Sequence, residues 1–276
     1  MTGLIIYDDR FRMASLTASS VLSGYPVENL QTEELHHVWM ASSAAQDAHV
    51  VVDFGEEVEL SAWAVLGHNI RQGSLTGGGN IRLSVGSTDN GSTFDTHVDY
   101  FIDFWSDLDN PWPHLCGTFE AVSKRYWRVK VYGTPGTTCD WEIAAIMLGQ
   151  YVHLPTAISA PYNKETGDTY AQIPGQNSYT QVIDDGGLDG ELGLVLNLAP
   201  ASLVAELRAA YTAQRGSFHP VVFADHNVTV EDGQSDPDGP YPNEGELRYC
   251  TIESYEDSQL PSADYYQAKM TLRDVD

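Results

Sequence analysis

The chain has 276 residues, a length that predicts about two domains. It carries 14 Lys and Arg residues against 39 Asp and Glu residues, which gives a formal net charge of −25. This balance disfavours nucleic-acid binding, because duplex affinity comes largely from cationic contacts to phosphate. No apolar stretch reaches the ~18–20 residues that span a bilayer.

The first half of the chain, up to about residue 150, predicts a run of short β-strands with no helix between them. Residues 60–66 are nearly all apolar, which predicts a strand buried on both faces, whereas 80–85 and 125–132 alternate between apolar and polar side chains. The predicted strands are 49–54 (ended by Gly55), 60–66, 80–85, 98–104, 125–132 and 141–148. Many short strands separated by turns are typical of a sandwich or barrel.

The second half predicts one helix, at about residues 202–215. Its apolar side chains follow helical spacing at Leu203, Leu207, Ala210 and Tyr211. Ser202 is the expected N-cap and Gly216 the expected stop.

The remaining segments of the second half predict strands and loops. A Pro-rich linker is expected at about 150–161, followed by a polar stretch with one strand at 162–190. Further strands are expected at 190–198, 218–224, 246–254 and 265–275, with a long acidic loop at 231–246.

Five short motifs of the first half occur in an order that resembles the discoidin or galactose-binding-like family. The coverage is about residues 20–150, and the motifs are Trp39 before Val50-Val-Val-Asp-Phe-Gly55, the buried strand 62–67, Leu83 to Gly91, Arg125-Tyr-Trp-Arg-Val-Lys130, and 143–148 ending at Gly149. The resemblance implies a jelly-roll β-sandwich. The expected fold is therefore mainly β: an N-terminal arm (1–20), a discoidin-like sandwich (21–152) and a smaller β-rich domain with one helix (153–276).

A narrower resemblance is to the version of this domain in virion proteins of tailed viruses. It rests on Tyr25-Pro-Val-Glu-Asn-Leu30 and on Gly67-His-Asn69, and the second half resembles distal tail or baseplate proteins by pattern. The resemblance implies a homo-oligomeric ring in the virion tail that contacts tail tube and fibre proteins, is assembled in the host cytoplasm, and contributes to attachment at the host surface.

The segment 104–114 offers the best candidate surface for a glycan. It combines two tryptophans with carboxylate and amide side chains, the mixture that sugar sites use; these residues are Trp105, Asp107, Asp109, Asn110 and Trp112. The alternative is that the aromatic side chains pack under a long loop or against a neighbouring subunit.

Candidate metal ligands occur in acidic loops and in a histidine pair. Asp232, Asp236 and Asp238 offer hard oxygen ligands for a structural Ca²⁺ ion, although the spacing does not match an EF-hand and a solvated turn is the alternative. His36 and His37 would bind a metal only with partners from elsewhere, and otherwise form a solvated pair.

No enzymatic signature is present, so no catalytic activity and no organic cofactor are expected. Gly-x-Ser-x-Gly, His-Glu-x-x-His and a phosphate-binding loop with its Lys are all missing. Cys116, Cys139 and Cys250 are expected to be mostly buried, free thiols, and the alternative is a disulfide between Cys116 and Cys139. His68 and Asn69 are expected to satisfy local backbone groups rather than form a site.

The sequence favours a structural virion protein, and the alternative is a monomeric carbohydrate-binding adhesion module. A third hypothesis is an accessory domain of a polysaccharide-degrading enzyme. The start of the chain lacks the pattern of a Sec-type signal peptide, which weighs against this third hypothesis and mildly against the adhesion module. The excess acid has two interpretations: an ordinary acidic protein, or adaptation to high salt, where carboxylate repulsion is screened.

Overall fold

Long antiparallel strands dominate the computed structural model, which describes residues 3–42, 47–68, 81–102, 115–132, 141–154, 169–170, 180–184, 191–214, 219–224, 247–259 and 265–275. Within these residues there are fourteen strands, one α-helix, α1 (Ala201–Ala213), and two short 3-10 helices, Phe11–Met13 and Val27–Gln31. The strands are β1 (Gly3–Tyr7), β2 (Ser15–Ala18), β3 (Trp39–Met40), β4 (Asp47–His68), β5 (Ile81–Thr88), β6 (Asp95–Ile102), β7 (Leu115–Tyr132), β8 (Glu142–Leu154), β9 (Thr169–Tyr170), β10 (Thr180–Asp184), β11 (Glu191–Pro200), β12 (Pro220–Ala224), β13 (Leu247–Gln259) and β14 (Tyr265–Asp274).

Contacts divide the described residues into two units. The sandwich unit runs from Asp9 to Gln150, and the helix-bearing unit comprises residues up to Asp8 together with those from Tyr151 onward. The stretch predicted as an N-terminal arm (1–20) therefore contains two strands with different partners. β1 pairs with β12 in the helix-bearing unit, and β2 pairs with β4 in the sandwich unit.

Two long strands, β4 and β7, build both sheets of the sandwich unit. Their halves near Asp47–Asp53 and Tyr126–Tyr132 lie in one sheet, of order β6–β5–β7–β4–β2. The other halves of β4 and β7 pair from Ala62–Thr118 to Val65–Leu115. In this second sheet β8 pairs with β4, and β3 pairs with β8. The apolar faces of both sheets meet in one core.

The strand that the sequence predicts to end at Gly55 continues to His68. The chain bends here instead of ending, because the β4–β7 register shifts between Asp53 and Val58 and Gly55 adopts a φ of +77°. Glycine reaches this left-handed region at little steric cost. The predicted strands 49–54 and 60–66 are thus two halves of one strand, and this bend forms a corner that joins the two sheets.

Four tryptophans anchor the sandwich core: Trp39, Trp63, Trp127 and Trp141 are each at most 1% exposed. The predicted inward faces are confirmed at Trp127, Val129 and Val131, and every residue from Leu60 to Leu66 is buried. A Cβ at Gly117 would lie 2.8 Å from Trp63 Nε1, so the absent side chain lets the indole pack directly on the backbone of β7.

The helix-bearing unit consists of an antiparallel sheet with α1 packed against it. The sheet order is β8–β1–β12–β13–β14–β11–β10–β9, with β8 entering the unit from Tyr151 onward. The segment 162–190, where one strand was expected, contains two short strands among its described residues, β9 and β10, paired with each other. The predicted strands at 190–198, 218–224, 246–254 and 265–275 correspond to β11, β12, β13 and β14.

The helix lies close to its predicted position and buries the predicted face. Leu203, Leu207 and Ala210 are buried, and Tyr211 packs against the same core. The predicted cap is wrong: the N-cap is Pro200, without a side-chain hydrogen bond, and Ser202 lies inside the first turn. Proline's fixed φ suits this entry, since β11 continues directly into the helix. Gly216 lies outside the described residues.

The predicted fold class is confirmed: the protein is mainly β and antiparallel, with a sandwich and one helix among the described residues. No helix in the described part of the chain is long and apolar enough to cross a membrane.

Candidate functional site

The corner of the sandwich brings together two of the sequence motifs. Arg125 donates from Nε to Asp53 Oδ1 (2.7 Å) and from Nη2 to Asp53 Oδ2 (2.9 Å). The Gly55 amide donates to the same carboxylate at 2.8 Å. These bonds, chiefly those from Arg125, lower the pKa of Asp53. The charged pair holds β4 and β7 together where they bend, so these motif residues have a structural role.

The turn after β5 is fixed at the same end by local bonds. Asn90 Oδ1 accepts from the Ser92 amide (2.9 Å) and from the Ser92 hydroxyl (2.7 Å). Asp89 forms an ion pair with Lys124 Nζ at 2.7 Å. The Arg128 guanidinium lies over the Phe94 ring, 4.5 Å from its centroid. A third motif therefore also serves the corner.

Strand pairing locates the end of the sandwich that lies away from the corner, which we call the open end. In the sheet that contains β8, Val65 pairs with Leu115 at the start of β7, and His68 pairs with Ile143. Trp39 of β3 also pairs with Ile143. These strand ends therefore lie at the end of the sheet away from the corner.

The other sheet ends in the same way. Asp47, the first residue of β4, pairs with Tyr132, the last of β7, and Ile81 of β5 pairs with Ile102 of β6. Four connections consequently begin and end at the open end: 43–46, 69–80, 103–114 and 133–140.

The five predicted glycan-binding residues belong to the third of these connections. Trp105, Asp107, Asp109, Asn110 and Trp112 lie outside the described residues, between the described ends Ile102 and Leu115. The predicted metal ligands Asp232, Asp236 and Asp238 also lie outside the described residues, as does Asn69.

Described polar side chains occupy the outer face at the open end. The Tyr132 hydroxyl donates to Asp99 Oδ1 at 2.8 Å. Lys130 Nζ lies 3.0 Å from Asp47 Oδ2 and 4.8 Å from the centre of the Tyr132 ring. An aromatic ring, two carboxylates and an ammonium group thus lie next to the strand ends from which the connections leave.

The residues of the narrower motif resemblance have packing roles. Gly67 adopts a φ of +57°, and a Cβ there would lie 2.7 Å from the Ala144 Cβ. His68 is 1% exposed. In the Tyr25–Leu30 segment, Asn29 Nδ2 donates to the Val38 carbonyl at 2.7 Å and Leu30 is buried. Packing therefore accounts for Gly67, Asn29 and Leu30.

The histidine pair has a partner that sequence reasoning missed. Glu34 Oε2 lies 3.2 Å from His36 Nε2 and 3.3 Å from His37 Nδ1, and all three side chains are exposed. The partner was expected from elsewhere in the chain, but it precedes the pair by two residues. The Glu-x-His-His spacing is the sequence signal that could have identified it.

Two cysteines behave as predicted. Cys116 and Cys250 are both buried, and burial raises the pKa of the Cys116 thiol to about 12. A thiol with so high a pKa is not a nucleophile at neutral pH. Cys139 lies outside the described residues.

Comparisons with known proteins give matches to solved structures alone. No family model matches the chain. No curated protein matches it. A family 32 carbohydrate-binding module from C. perfringens NanJ, in complex with galactose, is 15% identical over 53% of this chain and 98% of that chain, with a TM-score of 0.38. The corresponding module of AlyQ, in complex with 4,5-unsaturated mannuronic acid, is 15% identical over 49% and 92%, with a TM-score of 0.36.

A pectin-binding carbohydrate-binding module is 16% identical over 54% of this chain and 94% of that chain, with a TM-score of 0.37. These modules are thus similar to about half of the chain over nearly their whole length. Such low identities and TM-scores do not assign a ligand to this chain.

Proposed function

We propose that this chain is a non-catalytic carbohydrate-binding protein that presents the 103–114 connection, at the open end of its sandwich, to a glycan. One observation carries the proposal: four connections begin and end at that end, and one of them contains two tryptophans beside Asp and Asn residues. Loops on a rigid scaffold are where proteins commonly place binding residues.

The chemistry of this segment suits a sugar. The apolar face of a pyranose packs against an aromatic ring, while carboxylate and amide groups bond its hydroxyls, so Trp105 and Trp112 would supply the platform and Asp107, Asp109 and Asn110 the polar partners. Asp99 and Tyr132, which already form a hydrogen bond at this end, extend the polar surface. None of these roles requires a nucleophile or a proton-transfer group.

The test is glycan binding by the whole chain and by Trp105→Ala and Trp112→Ala variants. Screening on a glycan array followed by calorimetry should find a ligand whose affinity falls at least about tenfold in each variant, because a central aromatic contact is worth about 2 kcal/mol or more and about 1.4 kcal/mol is tenfold. Tyr25→Ala is the matched control, since Tyr25 is 40% exposed and lies outside the four connections. Absence of any glycan ligand, or unchanged affinity in both Trp variants, would refute the proposal.

A second candidate is the structural virion protein, a ring-forming component of a viral tail tip. The Tyr25–Leu30 and Gly67–Asn69 sequences favour it, although their described side chains are also explained by packing. In this alternative the protein would self-associate and contact tail tube and fibre proteins. Light scattering coupled to size-exclusion chromatography separates the candidates: rings of fixed stoichiometry support this one, and a monomer that binds a glycan supports the first.

A further inference from the structure

Three metal-ligating side chains meet on the loop that precedes β3. Glu34 Oε2 lies 3.2 Å from His36 Nε2 and 3.3 Å from His37 Nδ1, and the ligand atoms of all three residues fall within 4.8 Å of one another. The two imidazole centroids are 4.3 Å apart. One carboxylate oxygen and one ring nitrogen from each histidine therefore lie close together.

The distances from the Glu34 oxygen to the two histidine nitrogens match those between neighbouring ligands of a small metal ion. Zn²⁺ binds imidazole nitrogen at about 2.0–2.1 Å and carboxylate oxygen at about 2.0–2.2 Å, and tetrahedral ligands at these lengths lie about 3.3 Å from each other. Both oxygen–nitrogen distances agree with that separation, and the two ring nitrogens lie within 4.8 Å of each other. The imidazoles, 71% and 48% exposed, have room to rotate toward one ion.

The backbone holds this loop in shape. The His37 amide donates to the Glu34 carbonyl at 3.1 Å, and the Thr32 hydroxyl donates to the Asn29 carbonyl at 2.8 Å. On the other side, Val38 is buried and its carbonyl accepts from Asn29. The ligands thus project from a turn anchored at both ends, which reduces the entropy lost when an ion orders them.

We propose that Glu34, His36 and His37 bind one divalent transition-metal ion, with Zn²⁺ as the representative. Two imidazoles and one carboxylate suit Zn²⁺, Ni²⁺, Cu²⁺ or Co²⁺, whereas Mg²⁺ and Ca²⁺ prefer oxygen ligands alone. Three protein ligands leave further coordination positions for water or for a group on a second molecule. This site is independent of the proposed glycan-binding function, because none of its residues belongs to the open-end connections.

The contacts have an alternative explanation as ion pairs between protonated imidazoles and the carboxylate. Exposed pairs of this kind contribute little to stability. The two explanations differ in what they require: ion pairs need no metal, whereas a three-ligand site binds one ion per chain and loses affinity with each ligand removed. The net charge of −25 also attracts cations in general, so the test must measure selectivity.

The experiment titrates chelator-treated, full-length protein with ZnCl₂ in a phosphate-free buffer and follows heat. One Zn²⁺ per chain is expected, with affinity reduced at least about tenfold in each of Glu34→Gln, His36→Gln and His37→Gln, since each removes a direct ligand. His49→Gln is the matched control, because His49 is a histidine of β4 away from this loop, and it should bind as the unmodified chain does. The melting temperature without metal confirms that each variant folds.

Zn²⁺ should also raise the melting temperature of the unmodified chain and of His49→Gln, but not that of the three ligand variants. The proposal is overturned if the chain binds no Zn²⁺, if the three ligand variants bind it as tightly as the control, or if Mg²⁺ displaces it at equal concentration.

Discussion

The bidentate contact between Asp53 and Arg125 shows what two charged motif residues do at the residue scale. Arg125 is 42% exposed and Asp53 is 30% exposed, so water screens the pair and limits its energy. Its geometry nevertheless joins two strands at the position where both bend. The Gly55 amide, which bonds the same carboxylate, ties the left-handed residue of the bend to the ion pair.

The energy of this pair should depend on pH in a defined direction. Because hydrogen bonds from Arg125 lower the pKa of Asp53 in the folded state, the stabilisation is present above the unfolded value of about 3.9 and is lost as pH falls through the folded value. A double-mutant cycle with Asp53→Asn and Arg125→Gln, followed by urea unfolding at pH 7, should give a favourable coupling energy of the small size typical of exposed ion pairs. The amide introduced by Asp53→Asn keeps an acceptor for the Gly55 amide.

The same cycle near pH 2.5 is the control, since the carboxylate is then protonated in the unfolded chain and increasingly so in the folded one. The coupling energy should decrease there. A coupling of equal size at both pH values would show that the charge of Asp53 does not account for it.

At the scale of elements, α1 depends on its buried face rather than on its cap. Leu203, Val204, Leu207 and Ala210 are buried against the sheet, while the first turn lacks a side-chain cap. Arg208 adds a bidentate contact to Asp257 of β13, with its Nη2 2.8 Å from Oδ1. The Tyr255 hydroxyl also donates to the Val204 carbonyl at 3.2 Å. Packing, the Arg208–Asp257 ion pair and the Tyr255–Val204 hydrogen bond therefore position the helix.

Shortening one buried side chain of this helix should be costly. Leu207 is 1% exposed, and Leu207→Ala is expected to lower the free energy of unfolding by about 2–5 kcal/mol, since it removes buried methyl groups and leaves a cavity. Ser202→Ala is the control within the same helix and should change stability by less than about 0.5 kcal/mol. Urea unfolding checks both. If Ser202→Ala lowered the free energy of unfolding by about 1 kcal/mol or more, Ser202 would after all cap the helix.

Elements with strong periodicity could be predicted from sequence, and those defined by distant partners could not. Trp127, Val129 and Val131 alternate, so their strand and its inner face followed from local pattern. Nothing local shows that β1 pairs with β12, because that contact joins Gly3–Tyr7 to residues more than two hundred positions away. The bend at Gly55 resembles a strand end in sequence, since glycine marks both.

At the scale of the whole molecule, charge is the dominant property. The formal net charge of −25 comes from acid spread along the chain rather than from one segment. Individual contacts such as Lys124–Asp89 and Lys130–Asp47 offset it locally. Repulsion among the remaining carboxylates destabilises the compact state unless salt screens it.

Salt should therefore stabilise this protein. The melting temperature is expected to rise markedly between dilute buffer and molar NaCl, because the Debye length shrinks from about 10 Å at 0.1 M to about 3 Å at 1 M. A Glu56→Lys and Glu57→Lys double variant, altered at two exposed residues near the corner, should respond less to NaCl. Differential scanning calorimetry measures both proteins. A flat response of the unmodified chain would instead indicate an ordinary acidic protein.

The candidate site could be predicted only in part. Trp105 and Trp112 attract attention in the sequence because tryptophan beside Asp and Asn is uncommon in a plain loop. The described residues that flank their segment, Ile102 and Leu115, are located at one end of the sandwich by their pairing with Ile81 and Val65, which no local pattern contains. Glu34 was missed for a different reason: an exposed acid in so acidic a chain has no distinguishing context until its distance to His36 is known.

Substitutions at the corner and at the open end are expected to have different effects on the sandwich. Substitution of Gly55 would strain the bend itself, since its φ of +77° is one that residues with a side chain rarely adopt. The strands that flank the four connections at the opposite end pair with one another within the sandwich, so we expect this pairing to persist when the connections are changed. The sandwich is accordingly suited to loop grafting, in which one recognition surface is exchanged for another on an unchanged support.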